Sequence, residues 1–274
     1  MGTIHQSKRS FAENVKKQQC RENRKIAGLL IWLAIVLVVL AGIAIYIVIN
    51  RQDDRNGIID EEISVNAEVV SNYRVTIDFD SIPGYEGEPY CEINNNVPCF
   101  DLSEVDVNQE FEQYCNLDSL GRCGTAFANL SEKLVPTEER EAIGMVRPSG
   151  WHTVKYPDII EDLYLYNRCH LIANSLAGEN ANELNLITGT RYMNIAGMLP
   201  FESFVRKYIE KTGNHVLYRV TPIFNGNELV ARGVMIEAQS VEDSGSGICF
   251  NVFTYNVQPG IIIDYSDGSS RVQE

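Results

Sequence analysis

The sequence predicts an α+β fold with a mostly antiparallel sheet, preceded by one N-terminal transmembrane helix. Residues 26–49 are uncharged and almost wholly apolar. The rest of the chain reads as strands, then a strand–loop–helix unit, then a further run of strands. It lacks the strand–helix alternation of a doubly wound fold and has no GxGxxG or Walker motif, which disfavours chemistry on a nucleotide cofactor.

The apolar segment is long enough to cross a bilayer. As a helix rising about 1.5 Å per residue, residues 26–49 reach about 36 Å, against about 30 Å of hydrocarbon. A buried core helix of this length would show a polar face. A cleaved signal peptide would have a shorter apolar run and a small-residue cleavage site. We therefore interpret the segment as an uncleaved anchor in the cell membrane.

Charge sets the orientation of this anchor. The first 50 residues carry a net charge of +5, and the remainder carries −19. The positive-inside rule therefore predicts a cytoplasmic N-terminus and an extracellular C-terminal part. The predicted organisation is a basic cytoplasmic N-terminus (1–25), the transmembrane helix (26–49), a stalk (50–70) and an extracellular domain (71–274).

Negative charge is unevenly distributed outside the anchor. Residues 51–138 carry 5 basic and 19 acidic side chains, whereas residues 139–219 carry nine of each. The balanced stretch also holds His152, His170 and His215. Because a strongly acidic surface repels nucleic acid and other anions, we expect any chemistry on an anion to lie in the balanced stretch.

Strands are predicted where alternating or β-branched runs are bounded by turn residues. These runs are 73–80, 90–93, 163–167, 215–224, 229–241, 248–257 and 260–265. One amphipathic helix follows Pro200 and ends at Gly213. Its apolar face is formed at helical spacing by Phe201, Phe204, Val205, Tyr208 and Ile209.

Six cysteines lie in the predicted extracellular domain and are candidates for disulfide bonds. They are Cys91, Cys99, Cys115, Cys123, Cys169 and Cys249. Cys91 and Cys99 flank a turn-like segment and could join across a hairpin. The chain has no CxxC or HxxxH pair, which disfavours a zinc site.

Five polar residues around one predicted strand and the following helix supply the groups that metal-assisted phosphodiester hydrolysis needs. They are Arg168, His170, Asn185, Asn194 and Glu202. The reaction needs a base for water and positive charge on the phosphate. An imidazole accepts a proton near neutral pH, amide and carboxylate oxygens suit hydrated Mg²⁺, and a guanidinium donates to phosphate in fixed geometry. Each residue alone is common in structural roles, so only the set carries the hypothesis.

The spacing within the set predicts a shared helix face. If residues 194–202 form one helix, Asn194 and Glu202 lie about 2.2 turns apart on a broad common face. Pro200 would kink such a helix.

Residues 163–202 closely resemble the DNA/RNA non-specific endonucleases with the ββα-metal fold, and more narrowly their membrane-anchored DNA-entry branch. The family motif is D-R-G-H, then an Asn, a second Asn nine residues on, and a Glu eight residues after that. The matching residues are Arg168, His170, Asn185, Asn194 and Glu202. A looser resemblance extends over residues 84–264, which implies a ββα-metal core for the extracellular domain.

The resemblance implies a role for each matching residue. His170 would be the general base and Asn194 the sole direct protein ligand of Mg²⁺, with Mn²⁺ as an alternative ion. Glu202 would act on the metal through water. Arg168 would clamp the transition state, and Asn185 would position the substrate or the base.

Three further basic residues are predicted to contact phosphate groups: Arg147, Lys155 and Arg191. Together with Arg168 they would concentrate positive charge on an otherwise acidic domain. Such a surface can steer DNA over a screening length of about 10 Å at 0.1 M salt.

Two residues depart from the family motif, Asn167 in place of Asp and Cys169 in place of Gly. Neither removes a catalytic group. Asn167 lacks a charge that could anchor a neighbour, and Cys169 replaces a residue that tolerates positive φ. Because successive strand residues point to opposite faces, Cys169 should face away from His170 and have a structural role. The same geometry excludes a thiol hydrolase built on these two residues.

The sequence thus predicts a membrane-anchored, Mg²⁺-dependent endonuclease that cleaves extracellular DNA with little sequence preference, because backbone contacts do not read bases. RNA stays open as a second substrate, and the DNA-uptake machinery stays open as a partner. The alternative is a catalytically silent nucleic-acid-binding or adhesion domain on the same scaffold, supported by the departures at Asn167 and Cys169.

Overall fold

The computed structural model describes residues 67–71, 74–77, 79–137, 142–177 and 179–274. These residues belong to one compact unit, Ile63–Glu274. The predicted cytoplasmic segment, the transmembrane helix and the stalk up to residue 66 lie outside the described residues. Within the described ranges, no helix combines the length and apolar character that a membrane crossing requires. The last residues of the predicted stalk belong to a strand that begins at Ala67.

The strands, in chain order, are β1 (Ala67–Ser71), β2 (Arg74–Ile77), β3 (Tyr90–Glu92), β4 (Phe111–Tyr114), β5 (Ala126–Leu130), β6 (Tyr166–His170), β7 (Leu186–Thr190), β8 (Val216–Ile223), β9 (Gly233–Ser240), β10 (Cys249–Tyr255), β11 (Ile261–Ile263) and β12 (Ser270–Val272). The helices are α1 (Asn174–Ala177), a π-helix (Met193–Met198) and α2 (Leu199–Thr212). Short 3₁₀ turns occupy Phe79–Ser81, Asn94–Asn96, Leu102–Glu104, Glu132–Leu134 and Glu183–Asn185.

An antiparallel six-stranded sheet in the order β3-β10-β9-β8-β5-β4 forms the centre of the domain. This confirms the predicted α+β class with a mostly antiparallel sheet. The long strands β8, β9 and β10 lie within the predicted runs 215–224, 229–241 and 248–257. Their β-branched and aromatic residues suit a pleated, buried surface.

A hairpin and a helical segment cover one face of this sheet. The hairpin pairs β6 with β7, and α2 follows it. The main core joins Tyr218 and Ile236 of the sheet to Leu171, Val205 and Ile209 of the covering layer. The covering layer therefore has a fixed position on the sheet.

The helical segment differs from the predicted single helix over residues 194–202. A π-helix ends at Met198, and α2 begins at Leu199. Pro200 lies in the first turn of α2, where its missing N–H leaves no intrahelical bond unmade, so it starts this helix instead of kinking it. Gly213 ends α2 at φ 71°, as predicted. Phe204, predicted on the core face, is 51% exposed.

A buried ion pair lies on the opposite face of the sheet. Arg219 Nε donates to Glu237 Oε2 at 2.7 Å, and both side chains are almost fully buried. The backbone N–H of Cys99 donates to Glu237 Oε1 at 2.9 Å, and the Arg219 guanidinium lies over the ring of Phe100. This ion pair therefore fastens the segment after β3 to the sheet.

No disulfide bond joins the cysteines of the described ranges. The predicted pairing of Cys91 with Cys99 is therefore not formed in this structure. Cys91 lies in β3, and a 3₁₀ turn follows at Asn94–Asn96 in place of a hairpin. Cys169 and Cys123 are buried. Burial is the main cause that raises the pKa of Cys123 to about 11.

Candidate functional site

The β6–β7 hairpin and the π-helix present the residues that the sequence singled out. Arg168 pairs with Thr188 across the hairpin, and His170 pairs with Leu186. Arg168 and His170 therefore both belong to β6, whose last residue is His170, whereas the predicted strand 163–167 ends just before them. Since the two residues are separated by one position, they share a face of the hairpin.

Cys169 points to the other face, as predicted. It is 1% exposed and belongs to the main core. A Cβ on Gly189 would collide with its Sγ atom, so a side chain at residue 189 would displace this thiol. Cys169 is not among the described residues with positive φ. The departure from Gly at this position therefore puts no strain on β6.

His170 is 7% exposed, and its Nε2 atom lies 2.8 Å from the carbonyl oxygen of Asn180. A carbonyl oxygen can only accept a hydrogen bond, so Nε2 carries the proton and donates. The neutral ring then has its lone pair on Nδ1. The loop after α1 thus selects the tautomer of His170.

Asn185 is fully buried and holds the chain that leaves β6. Its Nδ2 donates to the carbonyl oxygen of Ile172 at 3.0 Å, and its Oδ1 accepts from the Ile172 N–H at 2.8 Å. Its own carbonyl oxygen accepts from the N–H of Leu171. Through these contacts Asn185 holds the backbone of Leu171 and Ile172, directly after His170, and so orients the segment that bears the imidazole.

Arg168 reaches across to the loop before it in sequence. Its Nε donates to the carbonyl oxygen of Val146 at 2.6 Å, and Nη2 donates to that of Gly144 at 2.9 Å. The guanidinium carbon lies 4.0 Å from the ring centroid of Trp151. Burial, followed by the charge of Arg147, lowers the pKa of Arg168. The guanidinium is oriented, and its carbonyl partners do not neutralise its charge.

A cavity of 530 Å³ opens beside Arg168. It is lined by Ile143, Trp151, Thr153, Tyr164, Tyr166, Asn167, Arg168, Arg191 and Asn194. The structure therefore brings three of the predicted residues, Arg168, Arg191 and Asn194, to one concave surface. Asn167 lies there too, beside the arginine that follows it.

Two of the predicted phosphate contacts, Arg147 and Lys155, do not line this cavity. Arg147 is exposed and lines a neighbouring cavity of 670 Å³. Lys155 is exposed, with its Nζ atom 4.7 Å from the ring centroid of Tyr164. Arg191, which does line the cavity, forms an ion pair with Asp162. The predicted basic surface is thus partly neutralised at Arg191.

Asn194 and Glu202 lie on successive helical segments. Asn194 is half-buried in the π-helix, where its carbonyl oxygen accepts from the N–H of Leu199. Glu202 is 8% exposed in the first turn of α2. After burial itself, the charge of Glu202 is the next cause that raises the pKa of Cys169 and of Tyr218. Glu202 therefore lies close enough to Cys169 and Tyr218 for its charge to act on both side chains.

The start of the helical segment is capped by Thr190 and by two residues far along the chain, Asn256 and Gln258, none of which was predicted from the sequence. Thr190 Oγ1 accepts from the N–H of Met193 at 3.0 Å and donates to the carbonyl oxygen of Val257 at 2.6 Å. Asn256 Oδ1 accepts from the Thr190 N–H, and Gln258 Oε1 accepts from the Tyr192 N–H. These bonds satisfy backbone donors at the helix start and so position Asn194.

The donor set of this site fits a hard divalent cation that keeps most of its water. Asn194 offers an amide oxygen on the cavity wall, and Glu202 offers a carboxylate two turns further on. In the ranges that the structure describes, no group of three or more His, Cys, Asp or Glu side chains is arranged to hold a metal ion.

Comparison with known proteins gives one family. The pattern of the DNA/RNA non-specific endonucleases matches residues 103–242, about half of the chain. A deoxyribonuclease from Streptococcus dysgalactiae subsp. equisimilis is 34% identical over 110 residues, which cover 38% of this chain and 32% of that protein. The chain therefore spans about a third of the length of that relative.

Solved structures show the same architecture. NucA from Streptococcus agalactiae, determined with no metal bound, has a TM-score of 0.61 at 29% identity and covers 71% of this chain and 92% of its own. The same protein with a magnesium ion bound has a TM-score of 0.58 at 29% identity, with coverages of 69% and 91%. Sda1 nuclease with a bound zinc ion shares the fold, with a TM-score of 0.57 at 24% identity and coverages of 69% and 98%.

Proposed function

Because this chain belongs to the DNA/RNA non-specific endonuclease family, we propose that it hydrolyses phosphodiester bonds of DNA, with RNA as a second substrate, and with little sequence preference. One observation carries the proposal: the hairpin and the π-helix bring Arg168 and Asn194 to one cavity wall, while the loop at Asn180 fixes the tautomer of His170.

In this proposal His170 is the general base. The bond from Nε2 to Asn180 holds the ring so that Nδ1 accepts a proton from the attacking water. As the water oxygen bonds to phosphorus, the bond from phosphorus to the leaving oxygen breaks, and that oxygen leaves as a hydroxyl after taking a proton from solvent. Asn185 holds the segment after His170 in place by its two hydrogen bonds to the backbone of Ile172.

Arg168 binds the charged phosphate in the transition state. Its guanidinium is oriented by two carbonyl oxygens and by Trp151, so little reorganisation is needed when the phosphate arrives. Asn194 and Glu202 would hold the divalent cation, for which we propose Mg²⁺, with Mn²⁺ as an alternative; the magnesium ion bound in NucA supports a divalent cation in this fold. When bound, this ion supplies positive charge to the pentacovalent transition state.

The test is cleavage of plasmid DNA and of RNA by the purified full chain in detergent micelles. We expect cleavage with Mg²⁺ and none with a chelator. His170→Ala should lose cleavage, whereas His152→Ala, a histidine outside the site, should keep it. Equal activity of the chain and of its His170→Ala variant would contradict the assignment of the base. A folded chain that binds DNA but never cleaves it would favour the silent binding domain.

We also propose that residues 26–49 anchor the chain in the cell membrane with the catalytic domain outside. The support is the length of the apolar run and the net charge of +5 before residue 51. Protease added to intact cells should remove the C-terminal domain and leave a membrane-bound N-terminal fragment. A domain that is protected in intact cells would overturn this orientation.

A further inference from the structure

Three aromatic residues line the cavity that Arg168 and Asn194 also line. They are Trp151, Tyr164 and Tyr166. Hydrolysis of a phosphodiester needs charge, a base and a metal ion, and none of these roles uses an aromatic ring. These aromatic side chains therefore need an explanation beyond the proposed reaction.

Two of the three rings are already used by the protein. Tyr166 is 4% exposed, and its hydroxyl donates to the carbonyl oxygen of Gly268 at 2.9 Å. Trp151 has its ring face against the Arg168 guanidinium. Tyr164, by contrast, is 41% exposed where it lines the cavity. It is the ring with the most area to offer to a ligand.

A turn in an unfavourable conformation presents Tyr164. Leu163, which precedes it, has φ 71°, in the left-handed region that a branched side chain rarely adopts. The Leu163 carbonyl oxygen accepts from the N–H of Tyr156 at 2.8 Å, and the Tyr164 N–H donates to the carbonyl oxygen of Asp162 at 2.8 Å. These bonds hold the backbone of the turn from which the Tyr164 side chain extends.

Positive charge accompanies this ring. Lys155 lies over one face of it, with 4.7 Å from Nζ to the ring centroid, so a ligand would stack on the other face. Asp162, in the same turn, forms an ion pair with Arg191, which lines the cavity. A partly exposed ring with one cation over it, in the same cavity as Arg168, matches the way proteins bind single strands, with bases stacked on aromatic side chains and the backbone following positive charge.

We propose that Tyr164 is a stacking platform for a nucleobase next to the phosphate at Arg168, and that the preferred substrate is therefore single-stranded or locally unpaired nucleic acid. This inference rests on the proposed function. In a duplex each base face is covered by its neighbours, so a base must be unstacked to reach Tyr164. Backbone contacts still allow cleavage of duplex DNA, with a higher KM.

The test separates stacking from cleavage. Binding of a fluorescent single-stranded oligonucleotide to the full chain is measured by anisotropy in the presence of chelator, so that it does not depend on activity. Tyr164→Ala should weaken binding about tenfold, which is typical for one stacked base. Tyr164→Phe should bind like the unchanged protein. Tyr90→Ala removes a tyrosine of similar exposure, 40%, that does not line the cavity, and should have no effect.

A second measurement uses the unchanged protein. A matched set of oligonucleotides, each with one abasic position, is scanned for the position at which loss of the base weakens binding as much as Tyr164→Ala does. At that position the variant should no longer distinguish the abasic strand from the intact one. With Mg²⁺, Tyr164→Ala should raise KM for single strands and change KM for duplex plasmid by less than about twofold.

Two results would overturn the proposal. One is equal loss on single strands and duplex, which would make Tyr164 a backbone contact. The other is an abasic scan without any sensitive position. Failure of the proposed function looks different, because the chain would then bind oligonucleotides but cleave none with any divalent ion.

Discussion

Arg219 and Arg168 each extend from a strand and lie over an aromatic ring, but their charges have different surroundings. Arg219 is fully buried, and the carboxylate of Glu237 neutralises it. Arg168 lines a cavity and donates to the carbonyl oxygens of Val146 and Gly144, which orient the guanidinium without cancelling its charge. The pair of Arg219 with Glu237 stabilises the fold, whereas the carbonyl partners of Arg168 leave its positive charge available to an anion.

This difference follows from the energetics of burial. A buried charge without a partner is strongly destabilising, so an arginine inside a sheet requires a carboxylate. At a cavity wall, water reduces that penalty, and carbonyl partners suffice. The partner of an arginine thus indicates whether its role is structural or functional, and substitutions at the two positions should separate the two roles.

The largest effect is expected at Arg219. Arg219→Ala leaves the Glu237 carboxylate buried without its partner, which should lower the free energy of unfolding by about 3–5 kcal/mol. Urea unfolding followed by circular dichroism measures this loss. Replacing both residues by leucine should restore much of the stability, since no unpaired charge remains. A single variant as stable as the unchanged chain would show that the pair is not needed.

Arg168→Ala should have the opposite profile. It removes the oriented guanidinium from the cavity, so kcat should fall about 10²–10³-fold, while the urea midpoint should move little. Arg168→Lys keeps the charge without the planar fork and should recover only part of the activity. If kcat survived and stability collapsed, Arg168 would be a structural arginine like Arg219, and the comparison would fail.

Asn256 tests whether a buried polar group can act on the site from a distance. Its Nδ2 donates to the carbonyl oxygens of Thr188 and Ala231, and its Oδ1 accepts from the Thr190 N–H that precedes the π-helix. Asn256→Ala should cost about 1–3 kcal/mol of stability. It should also raise the Mg²⁺ concentration for half-maximal activity about tenfold, because Asn194 would lose its positioning.

Asn251 provides the matched control for Asn256. It is equally buried, and its Nδ2 donates to the carbonyl oxygen of Val97 and to Glu237 on the far face of the sheet. Asn251→Ala should therefore lower stability without changing the Mg²⁺ requirement. A shift in Mg²⁺ requirement shared by both variants would mean that general loosening of the fold is the cause.

The sequence predicted β8, β9 and β10 because their runs are β-branched, aromatic and bounded by turns. It missed β5, Ala126–Leu130, because every residue of that strand is buried and no alternation marks it. The resemblance to the family motif also identified Arg168 and Asn194, which the structure places on one cavity.

The local geometry of the site was not predictable in the same way. The π-helix depends on tertiary packing, since Gly197 lies against Thr254, and a Cβ there would press on that side chain. The cap from Asn256 and Gln258 comes from residues more than sixty positions along the chain. Motif spacing describes neither contact, because both are created only when the hairpin packs on the sheet.

A partly exposed charge cluster should give the smallest effect. His215 Nδ1 lies 2.6 Å from Glu242 Oε1, and Nε2 lies 3.2 Å from Glu110 Oε1. Burial opposes the charged imidazole, but the hydrogen bonds and charges of the two glutamates outweigh it and raise the pKa of His215. The hydrogen bond from Lys133, helped by His215, lowers the pKa of Glu110 to about 2.

The sign of the pH dependence follows from these shifts. The contribution of His215 is complete below its unfolded pKa of 6.5 and is lost as pH rises through the higher folded pKa. The contribution of Glu110 is present above its unfolded pKa of 4.5 and is lost as pH falls towards 2.

His215→Gln should therefore lower the Tm near pH 5.5 by at most about 2–4 °C, and by less near pH 8.5. The unchanged chain, measured at both pH values, serves as the control. Because the cluster is reached by solvent, about 1 M salt should shrink the effect, whereas the stability loss in Arg219→Ala should persist. An effect of His215→Gln that resisted salt would place this cluster with the buried pair at Arg219.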